Sequence, residues 1–276
     1  MSSNFAKSTY VLVILLNYLR CYHVKFFNAL FLLAVFIPTS KNKMNIMKYA
    51  IISVSYLCLK FICSILYIIL FLDSSAFEGV DAVIHLAGEN IASGSTEGPF
   101  NILGRWSDNK KNKIYDSRVD GTKLLVETLL QLKKKPKVFI SSSATGFYGF
   151  RDTTTQFTEA AEKGTGFLSN VCENWENEAL KYSKSGRTVC VRNGVVLSKK
   201  GGLLAKLAPL FNIGGGGNIG SGDQGLSWIS VDDAVSGIEF ALSNSKLSGP
   251  VNLCAPIPAS NKEFTSALGR YVRAEC

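Results

Sequence analysis

Residues 137–149 read K-V-F-I-S-S-S-A-T-G-F-Y-G, a short apolar run that passes into three serines and a turn containing glycine. The apolar run favours a buried strand, which we predict over Lys137–Ser141. Ligands of a doubly wound parallel sheet bind beyond the carboxyl ends of its strands, so hydroxyl groups at this position can meet a substrate. The alternative is that Ser141, Ser142 and Ser143 only cap the following loop.

On both sides of this stretch, from Asp73 onward, predicted strands alternate with predicted helices. This alternation is typical of βαβ units and therefore of a parallel sheet in an α/β fold. Ser107 is placed to cap a helix that ends near Lys134, before Pro136. The other predicted elements are strands over Asp81–Leu86, Thr188–Arg192 and Val251–Cys254, and helices over Phe167–Lys184, Asp232–Leu242 and Asn261–Val272.

The first 72 residues differ sharply in composition from the remainder. They are mostly apolar, and none of the 24 glycines of the chain precedes Gly79. We predict an apolar, helical N-terminal segment over residues 1–75, with a candidate transmembrane helix over 49–72 that carries a single charge, Lys60. Two other interpretations stay open. One is an aberrant or alternative first exon, because the bias to Phe, Ile, Leu, Tyr, Asn, Lys and Ser without glycine resembles a translation of AT-rich non-coding sequence; the other is a buried soluble segment.

Charge and cysteine usage exclude several classes of protein. The net charge is +9, but residues 76–276 are nearly balanced and lack the basic stripe of a nucleic-acid-binding domain, so we expect no nucleic-acid partner. The 7 scattered cysteines favour reduced thiols and an intracellular reducing compartment, or a membrane location if residues 1–72 are a genuine anchor. With only His23 and His85 in the chain, we expect no metal site.

Five stretches of the second part of the chain occur together in one order. They read V-D-A-V-I-H-L-A-G-E-N-I-A (80–92), R-W-S-D-N-K-K-N-K-I-Y-D-S-R-V-D-G-T-K-L-L (105–125), K-V-F-I-S-S-S-A-T-G-F-Y-G (137–149), V-R-N-G-V-V-L-S-K-K-G-G (191–202) and I-G-S-G-D-Q-G-L-S-W-I-S-V-D-D-A-V (219–235). In these stretches the chain resembles the extended short-chain dehydrogenase/reductase superfamily, and more closely its atypical epimerase branch, the NAD-dependent epimerase/dehydratase-like proteins. The resemblance implies an incomplete Rossmann-like parallel sheet with helices on both faces, forming an NAD(P)-binding domain over residues 76–276.

The same resemblance implies a cofactor side of the domain, with NADP or NAD as the cofactor. By position, Leu86, Ala87 and Gly88 would lie along the ribose and phosphates. Arg192 and Asn193 would follow the strand that borders the nicotinamide and the substrate.

The resemblance also implies a substrate side. Ser143 matches the active-site serine of the family, which hydrogen-bonds the carbonyl or hydroxyl oxygen of the substrate. Trp228 and Asp232 match the strand-to-helix corner near the substrate cleft. On the residues alone, Trp228 would be core and Asp232 an N-cap for its helix.

Three departures from the family pattern bear on activity. Dinucleotide binding needs a glycine-rich turn after the first strand, and here the region upstream of the 80–92 stretch contains no glycine before Gly79, so we expect poor dinucleotide binding. The Tyr-x-x-x-Lys pair used for proton transfer in most of the superfamily is missing: Phe167 stands near the tyrosine position, with Val171 four residues on. The family also continues further past Leu268-Gly269-Arg270, so we expect an incomplete substrate side.

The function that follows is NAD(P)-dependent oxidoreduction or epimerisation of an unidentified small substrate, impaired in this chain. An alternative of another class is a membrane-anchored, catalytically inactive Rossmann-like module that works by protein contact. A third possibility is an aberrant product that does not fold stably, because loss of the first strands exposes a sheet edge.

Overall fold

The computed structural model describes six stretches of the chain, namely residues 10–19, 29–38, 77–91, 106–150, 155–199 and 201–275. In the first two stretches, and at residues 273–275, the description covers the backbone alone. The chain divides into two compact units. The first unit takes in Met1–Asn90, Asn112–Ser141 and Glu178–Thr188, and the second takes in Ile91–Lys111, Ser142–Asn177 and Val189–Cys276.

The main sheet is largely parallel. Its strands are β1 (Tyr10–Leu19), β2 (Ala29–Pro38), β3 (Ala82–His85), β4 (Val138–Ala144), β5 (Arg187–Asn193) and β9 (Gly249–Leu253). Their hydrogen-bonded order is β2-β1-β3-β4-β5-β9. The pairs β1–β3, β3–β4 and β5–β9 are parallel, whereas β2 runs antiparallel to β1 at one edge. The predicted α/β fold with a parallel sheet is confirmed.

Helices alternate with these strands as predicted. They are α1 (Asp108–Gln131), α2 (Phe167–Leu180), α3 (Gly202–Asn212), α4 (Val231–Ser243) and α5 (Asn261–Glu275). Ser107 caps α1, because its Oγ accepts a hydrogen bond of 3.2 Å from the backbone N–H of Lys110. A 3₁₀ turn over Lys181–Lys184 completes the segment for which one continuous helix is predicted.

The N-terminal segment corrects one expectation. Where the sequence favours a helical segment, the described residues form two strands, β1 and β2, paired from Tyr10↔Pro38 to Leu19↔Ala29. A continuous apolar run does not show by its periodicity whether it forms a helix or a strand, and pairing with β3 satisfies the backbone polar groups of β1. The candidate transmembrane helix over 49–72 lies outside the described residues. Among the helices that the structure describes, none has the length and apolarity required to cross a bilayer.

The core of the first unit is built on α1 and the starts of β3 and β4. Apolar side chains recur along α1 and are buried; the fully buried ones on α1 include Ile114, Leu125 and Leu129. Phe139 on β4 and Tyr182 are also fully buried. The Tyr182 ring packs edge-on against Phe139, with ring centroids 5.6 Å apart. Its hydroxyl donates to the carbonyl of Pro136 at 2.8 Å, so the core tyrosine has a hydrogen-bond partner.

The second unit carries two small sheets beside the ends of β4, β5 and β9. β6 (Val195–Ser198) pairs with β8 (Trp228–Ser230), and β7 (Gly225–Leu226) pairs with β10 (Ala259–Ser260). Gly194 permits the close approach of the first pair, because a Cβ there would lie 3.1 Å from the backbone of Ser227 and Trp228. A larger residue at the junction of β5 and β6 would therefore have to shift this backbone by a few tenths of an ångström.

The start of α4 corrects a second expectation. Ser230, and not Asp232, is the N-cap: its Oγ accepts from the backbone N–H of Asp233 at 3.0 Å and donates to Oδ2 of Asp233 at 2.8 Å. Asp233, the acidic partner of Ser230, stands three residues after this N-cap. Asp232 therefore lies inside the first turn of α4 and does not cap it. Its side chain is exposed.

Candidate functional site

The end of β4 and the end of β5 hold a buried charged cluster with α2, entirely within the second unit. Ser143 Oγ donates to Oε1 of Glu176 at 2.6 Å. Arg192 donates to the same carboxylate twice, from Nε to Oε1 and from Nη2 to Oε2, both at 2.8 Å. The three residues are 2%, 5% and 3% exposed, respectively. We call Ser143, Glu176 and Arg192 the buried triad.

Tyr148 extends the buried triad toward β9. Its hydroxyl accepts from Nη1 of Arg192 at 2.8 Å and donates to Oδ1 of Asn252 at 2.7 Å. Nη1 of Arg192 also donates to the backbone carbonyl of Glu159, at 3.2 Å. The guanidinium carbon lies 3.6 Å from the ring centroid of Phe147, within the range of a cation–π contact. Every charged group of the triad therefore has specific partners.

The surroundings of Arg192 keep its guanidinium protonated. Burial would lower the pKa of Arg192, but hydrogen bonds to Glu176 and Tyr148 and the charge of Glu176 outweigh burial and raise the pKa above its ordinary value. Cys190 lies two residues earlier on β5. Its burial, followed by the charge of Glu176, raises the pKa of its thiol to about 12, although the charge of Arg192 acts in the opposite direction. The Cys190 thiol is therefore neutral and unreactive at physiological pH.

A second polar pair, Ser142 and Asn193, adjoins the buried triad. Asn193 Nδ2 donates to Oγ of Ser142 at 2.9 Å and to the backbone carbonyl of Ser143 at 3.3 Å. Side chains of successive strand residues point to opposite faces, which separates Ser142 from Ser143 and Asn193 from Arg192. Both Ser142 and Asn193 are half-buried. Ser143 is thus linked to both predicted residues of β5. Its hydroxyl shares the Glu176 carboxylate with Arg192, and its backbone carbonyl accepts from Asn193.

The residues predicted along the cofactor lie at the end of β3 in the first unit. Ala87 is buried, and Leu86 and Gly88 are half-buried. A Cβ at Gly88 would lie 3.0 Å from the guanidinium carbon of Arg118, whose Nη2 donates to the Glu89 carbonyl at 2.9 Å. The end of this strand is therefore fixed against α1, and at Gly88 a larger residue would displace Arg118.

The sequence upstream of β3 has no glycine before Gly79 that could form the pyrophosphate turn of a dinucleotide site. Two strands pair with β3 in parallel, β1 and β4, and β1 is the one that precedes it in the chain. Residues 20–28 after β1 read R-C-Y-H-V-K-F-F-N, without a glycine. A pyrophosphate cradle requires backbone N–H groups in a tight turn that residues with a Cβ do not readily form. The chain thus has the predicted strand end at 86–88 without a glycine-rich turn upstream.

The helix expected to carry the proton-transfer pair is α2. Phe167 is its first residue, and its ring meets that of Trp106 with centroids 6.0 Å apart. Val171, one turn later, is buried. Neither side chain can transfer a proton, so these positions serve packing.

Trp228, predicted for the substrate cleft, is half-buried on β8 and lines a cavity of about 670 Å³ in the second unit. Asp232 does not line this cavity. The cavity lies beside β6, which follows directly on Asn193 and Gly194.

Three residues of this network were not selected from the sequence: Glu176, Tyr148 and Asn252. Tyr148 stands in the quoted 137–149 stretch, and Glu176 stands on the helix inspected for the missing tyrosine. Their sequence context carries no sign that they meet, because the partners lie up to 104 positions apart. One signal could have suggested Glu176. Arg192 ends an apolar strand, and an arginine buried there needs a carboxylate partner.

Comparison with known proteins identifies the chain's relatives. No protein-family model matches the chain. An epimerase family protein of Mycobacterium bovis is 41% identical over 202 residues, which cover 72% of this chain and 62% of the relative. The human epimerase family protein SDR39U1 is 33% identical over 199 residues, which cover 72% of this chain and 65% of that protein. The chain thus spans about three fifths of the length of the curated relatives that it matches.

Solved structures give the same result. The crystal structure of human SDR39U1 (isoform 2) with NADPH superposes with a TM-score of 0.61 and 33% identity, covering 69% of this chain and 63% of that one. A nucleoside-diphosphate sugar epimerase from Corynebacterium glutamicum has a TM-score of 0.59 and 34% identity, covering 73% and 41%. The chain is thus similar over about 70% of its length to epimerase family proteins, and its Rossmann-like α/β fold is consistent with an extended short-chain dehydrogenase/reductase.

Proposed function

We propose that the chain is an NAD(P)-dependent oxidoreductase or epimerase-type protein for a small molecule, with dinucleotide binding weakened by the missing glycine-rich turn. The observation that carries the proposal is the buried triad, which holds Ser143 in one position at a strand end where the fold binds ligands. The human relative crystallised with NADPH supports the choice of cofactor. When bound, a nicotinamide would exchange a hydride with a carbon of the substrate.

Ser143 has a defined hydrogen-bonding capacity in this arrangement. A serine hydroxyl has one proton to donate and two lone pairs that accept. Because the proton goes to Glu176, Ser143 can accept from a substrate hydroxyl but has no proton left for a substrate carbonyl. The proposal therefore assigns Ser143 the role of accepting a hydrogen bond from the hydroxyl group of an alcohol substrate.

Asn193 and Ser142 are the more accessible polar side chains of this strand end. Asn193 already donates from Nδ2 to Ser142 and to two backbone carbonyls, those of Ser143 and Val191. Its Oδ1 is the atom of the amide that would accept from a ligand. We assign Asn193 to ligand positioning and no proton transfer.

Hydrogen exchange with mass spectrometry tests the proposal on the full chain. Millimolar NADPH or NADH should slow amide exchange in residues 191–194, since the proposal places this segment along the cofactor. The dissociation constant should be about a hundredfold larger than that of human SDR39U1 measured in parallel, because no glycine before Gly79 is present to form the pyrophosphate turn.

Asn193→Ala should remove the protection of 191–194, and Asn244→Ala, in the turn after α4, serves as the matched control. No protection at any dinucleotide concentration would overturn NAD(P) dependence. Binding as tight as that of the human relative would overturn the proposed weakening alone.

A further inference from the structure

The second unit contains an apolar cavity of about 670 Å³ between α3, α5 and β8. Its wall is formed by aliphatic and aromatic side chains, among them Leu197, Leu204, Trp228, Phe264 and Leu268. A volume of this order suits a small ligand, since such sites measure about 300–1,000 Å³. The helix α3 supplies part of this wall and has no buried residue of its own.

A second cavity, of about 950 Å³, is polar and cationic. Its lining includes Lys262 and Arg270, and none of its lining residues is acidic. It is bounded by the glycine-rich stretch 214–217, where a Cβ at Gly217 would meet nothing within 4 Å, so the backbone is accessible. Exposed backbone and two cations favour an anionic group here.

Arg270 lines both cavities, so an apolar space and a cationic space meet at one side chain. Its Nη1 donates to Oγ of Ser266 at 3.1 Å, a neutral partner that leaves the positive charge uncompensated by that bond. The one carboxylate beside the apolar cavity, Glu263, accepts from the backbone N–H and Oγ of Ser260 at 2.7 and 2.9 Å. That carboxylate is therefore engaged in capping α5.

We propose that these two cavities form one binding site for an amphipathic anion, with an apolar body against Trp228 and a phosphate-like or carboxylate head at Arg270 and Lys262. The charge complementarity of the second cavity selects this occupant over an uncharged one. The inference rests on the proposed function only for the ligand's role as substrate, and binding itself requires no dinucleotide.

Isothermal titration calorimetry with decyl phosphate, below its micelle concentration and without dinucleotide, tests the site. We expect saturable binding of one molecule per chain, with much weaker binding of decanol and of inorganic phosphate. Arg270→Gln should weaken the binding of decyl phosphate by about tenfold, and Lys246→Gln, outside both cavities, should leave it unchanged. Ala267→Phe, which fills the apolar cavity from α5, should abolish binding, and Val235→Phe on the exposed face of α4 is its control.

Equal binding of decanol, non-saturable binding, or indifference to both Arg270→Gln and Ala267→Phe would overturn the proposal, provided that circular dichroism shows each variant folded. A concentration-dependent dimer that Ala267→Phe converts to monomer would also overturn it, because a second copy would then occupy the cavity. Failure of NADPH to protect residues 191–194 would leave the decyl phosphate result untouched, so the two proposals fail separately.

Discussion

Arg192 and Glu176 face each other through two parallel hydrogen bonds of 2.8 Å, from Nε and Nη2 to the two carboxylate oxygens. Both side chains are almost fully buried. A buried ion pair recovers its desolvation cost only when its geometry is good and its other polar atoms are satisfied. Ser143 and Tyr148 supply those additional partners, so the pair fixes the ends of β4 and β5 against α2.

Glu176→Gln should destabilise the protein by about 3–5 kcal/mol, because the charge of Arg192 would stay buried without its counter-ion. Urea unfolding followed by circular dichroism measures the change. The control is Glu173→Gln on the same helix, whose partner Lys163 is partly exposed, and we expect it to cost less than about 1 kcal/mol. Equal effects of the two substitutions would contradict the special position of Glu176.

Tyr148→Phe removes the hydroxyl that joins Arg192 to Asn252. Asn252 Oδ1 would lose this donor, and Arg192 Nη1 would keep only its bond to the Glu159 carbonyl, so we expect a loss of about 1–3 kcal/mol in the free energy of unfolding. Tyr115→Phe, on α1, provides a control for loss of a hydroxyl and should cost less than about 0.5 kcal/mol. A change at Tyr148 no larger than at Tyr115 would mean that the hydroxyl does not stabilise the cluster.

Gly194→Ala should cost about 1–3 kcal/mol, because the new Cβ would lie 3.1 Å from the backbone of Ser227 and Trp228 and force β6 and β8 apart. The matched control is Gly217→Ala, where the Cβ would meet nothing within 4 Å. Thermal unfolding should show a lower melting temperature for Gly194→Ala than for Gly217→Ala. Since Trp228 sits at this junction, its fluorescence should also change in the Gly194 variant alone.

The sequence predicted the elements that carry strong local signals. Ser107 before an amphipathic run marked the start of α1, and short β-branched runs marked β3 and β5. It failed at residues 10–38, where uniformly apolar residues give no periodicity, and at Asp232, where two acidic residues follow a serine that caps more effectively.

The candidate site was predictable only in part. Ser143, Arg192 and Asn193 follow from the strand ends and from the resemblance of the five sequence stretches to the family. The ion pair between Arg192 and Glu176, in contrast, depends on how α2 packs against β5. Hydrogen bonds between residues of different helices and strands depend on tertiary packing, which a local sequence pattern does not show. The roles of Leu86, Ala87, Gly88, Trp228 and Asp232 stay predictions.

His85 should make stability depend on pH. The side chain is completely buried in the first unit, where Nε2 and Oγ1 of Thr122 lie 2.9 Å apart, and burial lowers its pKa from 6.5 to about 4. Above pH 6.5 both the folded and unfolded states hold neutral histidine. As the pH falls from 6.5 toward 4, the unfolded state takes up a proton that the folded state does not, so the free energy of unfolding decreases.

Over this window the contribution lost amounts to about 3 kcal/mol, at about 1.4 kcal/mol for each unit of pKa difference. Urea unfolding at a series of pH values from 8 to about 4 should show the decrease, and His85→Gln should flatten it within that window. Carboxylates also titrate toward the acid end, but they contribute alike to both proteins, so the difference between the two curves isolates His85. Parallel curves for the two proteins would show that His85 does not remain neutral inside the folded unit.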